Sequence, residues 1–525
     1  MRAEPPATAN GGGAGAEADP PRESYARMEA PDAVVADDDF QLVVGLSKEP
    51  VAGVLNPEIV RPESSVGPYT LVVQVVADGF HLVDGGEWRR ELPVTAAAPY
   101  PSVTYTLRAD AQHGADVWSR PIQALFSIDG QTVGVAIRTI AIVARSELLG
   151  IVKPAPVPAA NVIAIAPQKD APDLTARITY SEAVSDGRLL WTFETTHGID
   201  IPTTEIVTDV GSRPQVFAHE LIEGVASHRG DVGLVEFLTG VGRSVSEKMP
   251  DEFFTLLAAV AAKVDRPPRV LLLSQEPYVP WELAAVEPAL DPHAPAGAPV
   301  FLAAQADVGR WVFGQRRPAL PPPVEVDAQS IAVVSGEYPE VAWRLVDAEE
   351  EAAELVQQYR ASPVNALSAT VIDCLKGHPP ADVLHFAVHG TYAPEGVLEG
   401  LILIDGERLD PMVVKGCAFA RAPFVFLNAC QVGSGNEVLG DYSGMAEAFL
   451  HAGAAAVVAP LWSIDDVAAK ELALRFYKRV FVDGATPASA LREERSAYAG
   501  PGGDGAATRL AYQYFGHPGL SLHRN

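Results

Sequence analysis

From Arg269 onward, short apolar runs alternate with segments of helical pattern. RVLLLS, SIAVVSG, ADVLHFAV and APFVFL predict strands, whereas VDAEEEAAELVQQYR and DDVAAKELALRFYKRVFV predict amphipathic helices. Strands that are apolar on both faces are stable only where helices cover both sides of the sheet. The pattern therefore predicts an α/β fold with a mostly parallel sheet between two helical layers.

The chain before this region has a different pattern. Runs such as FQLVVGL and YTLVVQVV, separated by DG and GG turns, predict a small antiparallel β-sandwich over residues 37–150. SIDGQTVG predicts a hairpin that turns at Asp129-Gly130. No cluster of His, Cys or carboxylates marks a catalytic site here, so we interpret this part as a binding or regulatory domain.

The remaining boundaries follow from composition. Residues 1–36 are rich in Pro, Gly, Ala and acidic residues and are predicted to be disordered. The Pro/Ala-rich segment 151–174 predicts a semi-extended linker. Residues 175–525 then form the α/β domain, and no internal repeat is found.

Composition excludes several classes of function. The net charge is −28 and no Lys/Arg run stands out, which argues against nucleic acid as a partner. No signal peptide and no run of 18 apolar residues is present, so a membrane partner is not expected. Three cysteines favour a reducing, cytoplasmic location. Without CxxC or HExxH, we predict no metal and no cofactor.

Two motifs point to chemistry at strand ends. ADVLHFAVHG ends in His389-Gly390, and FVFLNAC ends in Cys430. Catalytic groups of α/β proteins gather beyond the carboxyl ends of the strands. A cysteine nucleophile needs a nearby base and backbone N–H donors for the oxyanion, and the amides of Gly390 and Cys430 are the candidates for the second role.

Other residues in these segments have simpler interpretations. A cysteine near a strand is usually a packing residue, and we assign that role to Cys374 and Cys417, each in a predicted short helix. His385 shares a strand face with His389 and is an alternative base. Because it lies inside the strand, we interpret it as a buried, hydrogen-bonded support.

Taken together, the motifs resemble the CHAT family of caspase-like cysteine peptidases, kin of caspases and separase. The segments that carry the resemblance, in the family's order, are LLLSQEPYVPWELA, ADVLHFAVHG, FVFLNACQVG, GMAEAFLHAGAAAVVAPLWSIDD and AAKELALRFYKRVF. Asn428-Ala429-Cys430-Gln431 is also similar to the caspase Q-A-C pattern with its upstream histidine.

The resemblance covers residues 175–525 and implies a caspase-like α/β/α sandwich. It implies His389 as general base, Cys430 as nucleophile, and the amides of Gly390 and Cys430 as the oxyanion hole. Many family members carry tetratricopeptide repeats that recruit partners. This chain has the predicted β-domain instead.

Acidic residues near the predicted site suggest a preference for basic P1 side chains. The candidates for substrate binding are Asp441, Asp465 and Asp466. Asp465 and Asp466 have an alternative role as favourable charges at a helix N-terminus, and Asp441 has one as an N-cap.

The function predicted from sequence is a cytoplasmic cysteine endopeptidase that acts on a protein substrate. A regulatory protein bound through the β-domain is the predicted partner. The alternative is a catalytically inactive caspase-like scaffold for protein–protein interaction. A different hydrolase on a Rossmann-like sheet would need G-x-S-x-G or G-x-G-x-x-G after a strand, and neither occurs.

Overall fold

The computed structural model divides the chain into two compact units, Met1–Pro167 and Gln168–Asn525. The residues that it describes are 23–54, 58–60, 67–83, 85–112, 114–150, 170–181, 187–211, 213–228, 233–295, 297–312, 322–391, 400–429, 436–438, 441–497 and 503–524. Most of the predicted linker, residues 151–169, lies outside these ranges, and the first strand after it begins at Leu174.

The described part of the first unit is built from strands. They are β1 (Glu23–Glu29), β2 (Ala33–Val35), β3 (Asp39–Ser47), β4 (Glu58–Val60), β5 (Tyr69–Val76), β6 (Phe80–Leu82), β7 (Arg89–Val94), β8 (Ser102–Ala109), β9 (Val117–Ile128) and β10 (Gln131–Val143), followed by a 3₁₀ turn at Ser146–Leu148. One sheet has the order β4-β1-β3-β8-β6 and the other has the order β2-β10-β9-β5-β7.

Side-chain alternation explains how the two sheets bury a common core. In β3, Leu42, Val44 and Leu46 are buried on one face, and they belong to the same apolar cluster as residues of β5 and β9. The predicted hairpin is confirmed, since Asp129 and Gly130 have φ values of 50° and 75° between β9 and β10. Positive φ at both central residues is the requirement of a type I′ turn.

The predicted disorder of residues 1–36 is wrong for its last part. β1 pairs antiparallel with β3, and β2 pairs parallel with β10. The alternation in ESYARME places Ala26 and Met28 in the core, so this short segment buries apolar surface despite its polar composition. Residues 1–22 lie outside the described residues.

The second unit mixes strands and helices. Its described strands are β11 (Leu174–Tyr180), β12 (Arg188–Glu194), β13 (Ile206–Asp209), β14 (Arg269–Ser274), β15 (Asp307–Val312), β16 (Glu325–Asp327), β17 (Ile331–Ser335), β18 (Ser362–Asn365), β19 (Val383–Ala387), β20 (His389–Thr391), β21 (Gly400–Ile402), β22 (Arg408–Leu409), β23 (Phe424–Asn428), β24 (Asn436–Val438), β25 (Asp441–Ser443), β26 (Ala456–Pro460), β27 (Tyr512–Phe515) and β28 (Ser521–His523).

Its described helices are α1 (Pro214–Ser227), α2 (Leu234–Ser246), α3 (Asp251–Ala261), α4 (Leu302–Gln305), α5 (Val346–Tyr359), α6 (Ser368–Leu375), α7 (Pro411–Lys415), α8 (Met445–His451), α9 (Asp466–Phe481), α10 (Pro487–Ser496) and α11 (Gly503–Ala511). Two 3₁₀ turns occur at Trp281–Leu283 and Val341–Trp343. Every helix in the described ranges is too short or too polar to traverse a lipid bilayer.

An 11-stranded sheet organises the second unit. Its order is β13-β12-β11-β14-β15-β27-β26-β23-β19-β17-β18. Seven of its ten neighbouring pairs are parallel, and the antiparallel ones are β13/β12, β12/β11 and β27/β26. The sheet is therefore mixed, with a continuous parallel stretch from β26 to β18.

Helices cover both faces of this sheet, as predicted from its apolar strands. Val383 of β19 and Phe424 of β23 lie in one apolar cluster with residues of α5, α9 and α10. Leu384 and Val425, the next residues along, lie in a second cluster with residues of α6, α7 and α8. Successive strand side chains point to opposite faces, so each strand contributes to both clusters.

Several elements of this unit were not predicted from the sequence. Helix α2 was missed, although Leu234, Leu238, Val241 and Val245 recur at helical spacing and are buried. Strand β27 was also missed, and it joins the two halves of the sheet between β15 and β26. Helix α8 begins only at Met445, after residues 441–443, which pair with β24.

Candidate active site

His389 lies where the chain leaves the central sheet. Strand β19 ends at Ala387, and His389 begins the short strand β20, which pairs with β21. Ala387 is opposite Asn428, the last residue of the neighbouring parallel strand β23. Two parallel strands therefore end side by side, as the sequence predicted. Cys430 follows two residues after Asn428 and lies outside the described residues.

The imidazole of His389 is held by the main chain of a distant loop. Its Nε2 atom lies 2.7 Å from the carbonyl oxygen of Trp343, which is in the 3₁₀ turn before α5. A carbonyl oxygen can only accept a hydrogen bond, so we assign the proton to Nε2. The lone pair is then on Nδ1, and this is the ring nitrogen that can act as a base.

Tyr338 fixes the backbone of His389. Its hydroxyl accepts a hydrogen bond from the His389 N–H at 3.0 Å and donates one to the carbonyl of Ile402 at 2.6 Å. Burial raises the pKa of Tyr338 to about 12, so the hydroxyl stays a donor at neutral pH. The rings of Tyr338 and Trp343 both meet the imidazole edge to face, with centroids 4.8 and 5.5 Å away.

Gly390 is the next residue along β20, and its amide is the predicted donor to the oxyanion. Gly390 is partly exposed and is opposite Leu401 in the β20–β21 pair. The His389 amide is already bonded to Tyr338, so it is not available to a substrate oxyanion. The role predicted for the Gly390 amide stays a prediction.

The sequence motifs around this edge match a known domain family. The model of the CHAT domain matches residues 257–509. This range includes His389, Gly390 and Cys430. Residues 257–509, the range that this family model matches, are called the CHAT domain below. The resemblance drawn from the sequence motifs is confirmed for this range, and residues 175–256 of the predicted domain precede it.

The solved structures that match this chain include a cysteine proteinase. The Arg-specific cysteine proteinase gingipain R is 14% identical, with 57% of this chain and 76% of that chain covered and a TM-score of 0.36. The RgpB pro- and mature domains of Porphyromonas gingivalis are 13% identical, with 59% and 78% covered and a TM-score of 0.35.

A third similar structure is the Saccharomyces cerevisiae separase–securin complex. It is 9% identical to this chain, with a TM-score of 0.42, and 67% of this chain and 30% of that chain are covered. No curated protein matches this chain.

The acidic residues predicted to bind substrate have distinct positions in the CHAT domain. Asp465 is the N-cap of α9, where its Oδ1 accepts a hydrogen bond from the Ala468 N–H at 2.9 Å. Asp466 is the exposed first residue of that helix. The helix-terminus role accounts for the position of Asp465, while pocket roles for these residues stay predictions.

Asp441 occupies a strand rather than a helix cap. It begins β25 and pairs with Val438 of β24, and its side chain lies outside the described residues. The N-cap of α8 is Gly444, so the N-cap alternative for Asp441 is wrong. Its predicted contact with substrate is not affected by this correction.

The other two cysteines of the CHAT domain are packing residues, as predicted. Cys374 and Cys417 are 4% and 7% exposed. Burial raises the pKa of both thiols, which disfavours the reactive thiolate. Cys374 lies in α6, whereas Cys417 follows α7 rather than lying within it.

His385 is the buried support that the sequence predicted. It is 0% exposed, and its Nδ1 atom lies 3.1 Å from the hydroxyl of Tyr477 on α9. Tyr338 and Trp343, by contrast, were missed by sequence reasoning. One signal for them exists in the sequence, since GEYPEVAW directly follows strand β17 and therefore begins at the same sheet edge as His389.

Proposed function

We propose that the CHAT domain is a cysteine endopeptidase of caspase-like α/β/α architecture. His389 is its general base and Cys430 its nucleophile. The observation that carries the proposal is the hydrogen bond from His389 Nε2 to the Trp343 carbonyl. This contact leaves Nδ1 as the basic nitrogen, at the end of the strand next to the one that leads to Cys430.

In the proposed reaction, Nδ1 of His389 accepts the proton of the Cys430 thiol. The thiolate attacks the carbonyl carbon of the scissile peptide bond, and the N–H groups of Gly390 and Cys430 stabilise the oxyanion. The C–N bond then breaks as the imidazolium gives its proton to the leaving amine. Water, deprotonated by the same imidazole, hydrolyses the thioester and frees the thiol.

The surface beside His389 supports a polypeptide as the substrate. Val341 is 87% exposed, Trp343 48% and Val346 55%, and all three lie in or next to the loop that holds the imidazole. Clustered exposed apolar side chains often mark a binding surface. An extended peptide would place its apolar side chains against this loop while its backbone reaches the strand ends.

The first unit completes the proposal as a regulatory module. We propose that residues 37–150 belong to a β-sandwich that binds a partner protein and controls the activity of the CHAT domain. Its two sheets share a core but carry no predicted catalytic residue. A cytoplasmic location, inferred from the three cysteines, fits a nucleophile that has to stay reduced.

The test uses wild type, Cys430→Ala and His389→Ala, with Cys417→Ser as the matched cysteine control. Each protein is incubated with proteins encoded beside this chain, and fragments are identified by mass spectrometry. We expect wild type and the control to produce one discrete cleavage. Each dyad variant should lose at least about a thousandfold in rate while it keeps the wild-type circular dichroism spectrum.

Two outcomes contradict the proposal. Undiminished cleavage by Cys430→Ala would assign the nucleophile to another residue. Stable binding of a neighbouring protein without cleavage by wild type would favour the alternative, an inactive caspase-like scaffold.

A further inference from the structure

A buried carboxylate lies between the two strands that lead to the candidate dyad. Glu351, on α5, is 1% exposed. Its two oxygens accept hydrogen bonds from Asn428 Nδ2, at 2.9 Å for Oε1 and 2.7 Å for Oε2. The Oε1 atom also lies 2.6 Å from Nε2 of His385, as an ion-pair contact rather than an aligned hydrogen bond. One side chain thus contacts both β19 and β23.

Asn428 is held on its other side as well. The hydroxyl of Tyr512, on β27, donates a hydrogen bond to Asn428 Oδ1 at 2.5 Å. Helix α5 and strand β27 therefore fix the side chain that ends β23. Asn428 is the last residue of its strand, so these bonds also fix the point at which the chain departs toward Cys430.

His385 is fixed in a similar way. The Tyr477 hydroxyl lies 3.1 Å from Nδ1 of His385, and the Glu351 carboxylate, an acceptor, faces Nε2. We therefore assign the ring proton to Nε2, so Nδ1 accepts a hydrogen bond from Tyr477. His385 lies four residues before His389, within the strand that leads to it.

The helix that carries Glu351 is itself anchored. Lys470 of α9 pairs with Asp347 at 2.5 Å and with Glu350 at 2.7 Å, both in the first turns of α5. The residues just before α5 include Trp343, whose carbonyl binds His389. Movement of α5 would therefore disturb both members of the dyad.

A buried carboxylate is costly, and a well-packed apolar residue would often be at least as stabilising. What a buried carboxylate can do, and an apolar residue cannot, is to fix the positions of the side chains that hydrogen-bond to it. We propose that Glu351 is a positioning residue that, through His385 and Asn428, sets the relative placement of the strand ends that carry His389 and Cys430. This inference rests on the proposed dyad and predicts that the reactivity of Cys430 depends on Glu351.

The experiment measures the rate at which iodoacetamide alkylates Cys430 in the full chain, by mass spectrometry, between pH 6 and 9. No substrate is needed. The variants are His389→Ala, Glu351→Gln and the reciprocal double variant Glu351→Gln/Asn428→Asp, which restores an amide–carboxylate pair with the roles exchanged. Leu355→Ala is the matched control, because Leu355 is buried one turn further along α5 and has no polar group.

We expect Glu351→Gln to slow alkylation at pH 7 by about tenfold or more, since small misplacements of reacting groups have effects of this size. The double variant should recover most of the rate. Leu355→Ala should lose thermal stability, yet Cys430 should be alkylated within about twofold of the wild-type rate. If α5 had only a structural role, any variant that destabilises it would slow alkylation. If Glu351→Gln does not fold, Tyr512→Phe provides the same comparison from the other side of Asn428.

The outcomes separate the two proposals. If His389→Ala slows alkylation and Glu351→Gln does not, the dyad stands and the positioning role is overturned. If Leu355→Ala slows alkylation as much as Glu351→Gln, the positioning role is also overturned. If wild-type Cys430 reacts no faster than a free thiol and His389→Ala changes nothing, the dyad is overturned, and the positioning role with it.

Discussion

The Nε2 atom of His389 lies 2.7 Å from the carbonyl oxygen of Trp343, a residue 46 positions earlier in the chain. This single contact decides which ring nitrogen carries the proton. It also makes the loop between β17 and α5 a part of the candidate site. The proposed base is therefore oriented by a main-chain carbonyl rather than by an acidic side chain, and substitutions in that loop should affect the reaction.

Tyr338→Phe tests the support of the His389 backbone. The change removes the hydroxyl that bridges the His389 N–H and the Ile402 carbonyl, and a buried group without its partner costs about 1–3 kcal/mol. We expect kcat/KM on the cleaved substrate to fall about tenfold or more. Tyr105→Phe, which removes a buried hydroxyl in the first unit, should leave it unchanged. Equal effects of the two variants would contradict the assignment.

A second prediction concerns the buried ion pair between Arg310 and Glu282. The guanidinium is 0% exposed, and its Nη2 lies 2.6 Å from Glu282 Oε2. Because Arg310→Met leaves the carboxylate buried without the cation that hydrogen-bonds to it, we expect a loss of about 3–5 kcal/mol in the free energy of unfolding, measured in urea. Arg310→Met/Glu282→Leu should lose less than the single variant.

The control for this measurement is the exposed pair of Arg243 and Glu287. Arg243→Met should leave the urea transition in place, because water screens such a pair. A double variant that is less stable than Arg310→Met would show that the pair contributes through packing rather than charge.

The third prediction is a pH dependence of stability. Burial, together with neighbouring Arg269, lowers the pKa of His517 to about 4. Between this pKa and the ordinary value of 6.5, His517 is therefore protonated more readily in the unfolded chain than in the folded protein. This group's contribution to stability is complete above pH 6.5 and is lost as the pH falls toward 4. It amounts to about 3 kcal/mol.

His517→Asn should flatten this acid limb, because Asn offers an acceptor near the position of Nδ1, which binds the Gly519 N–H, without a titrating group. The measurement is the midpoint of thermal unfolding between pH 4 and 8. His293→Asn, at an exposed histidine, should keep the wild-type slope. An unchanged slope in His517→Asn would assign the acid sensitivity to other groups.

The fourth prediction separates helix capping from substrate binding. Asp465→Ser keeps an oxygen that can accept the Ala468 N–H but removes the charge, so α9 should stay capped and thermal stability should change little. The three charge-removing substitutions are Asp441→Asn, Asp465→Ser and Asp466→Asn. The substitution of whichever residue lines the P1 pocket should reduce cleavage after Arg and Lys by about tenfold or more. A P1-varied peptide library measures this. Preferred cleavage after acidic or aliphatic residues would refute the basic P1 preference.

The fifth prediction concerns the two units. Because the second unit has its own apolar clusters, a chain that begins at Gln168 should fold and melt cooperatively by circular dichroism. In this truncated chain we expect Cys430 to be alkylated at the wild-type rate. Its cleavage activity should respond differently to the regulatory partner. Identical behaviour of the truncated and full chains toward the native substrate would remove the regulatory role proposed for the β-domain.

Much of the fold follows from local patterns in the sequence. The apolar runs at β17, β19 and β23 and the amphipathic pattern of α5 were sufficient to predict strands, helices and their covered faces. The burial of His385 followed from its place inside a strand. Residues 23–35 were mispredicted because composition averages over a segment in which only alternate residues need to be apolar.

The sequence by itself determined the types of the main elements, the CHAT motifs and the two residues proposed as the dyad. Only the tertiary structure decided what holds them, namely the Trp343 carbonyl on His389 and the contacts of Glu351 with His385 and Asn428. The physical reason is distance along the chain. Periodicity and propensity act over a few residues. Glu351 and Asn428 are 77 residues apart and meet only because α5 packs on β17 and β19, from where the Glu351 side chain reaches the end of β23.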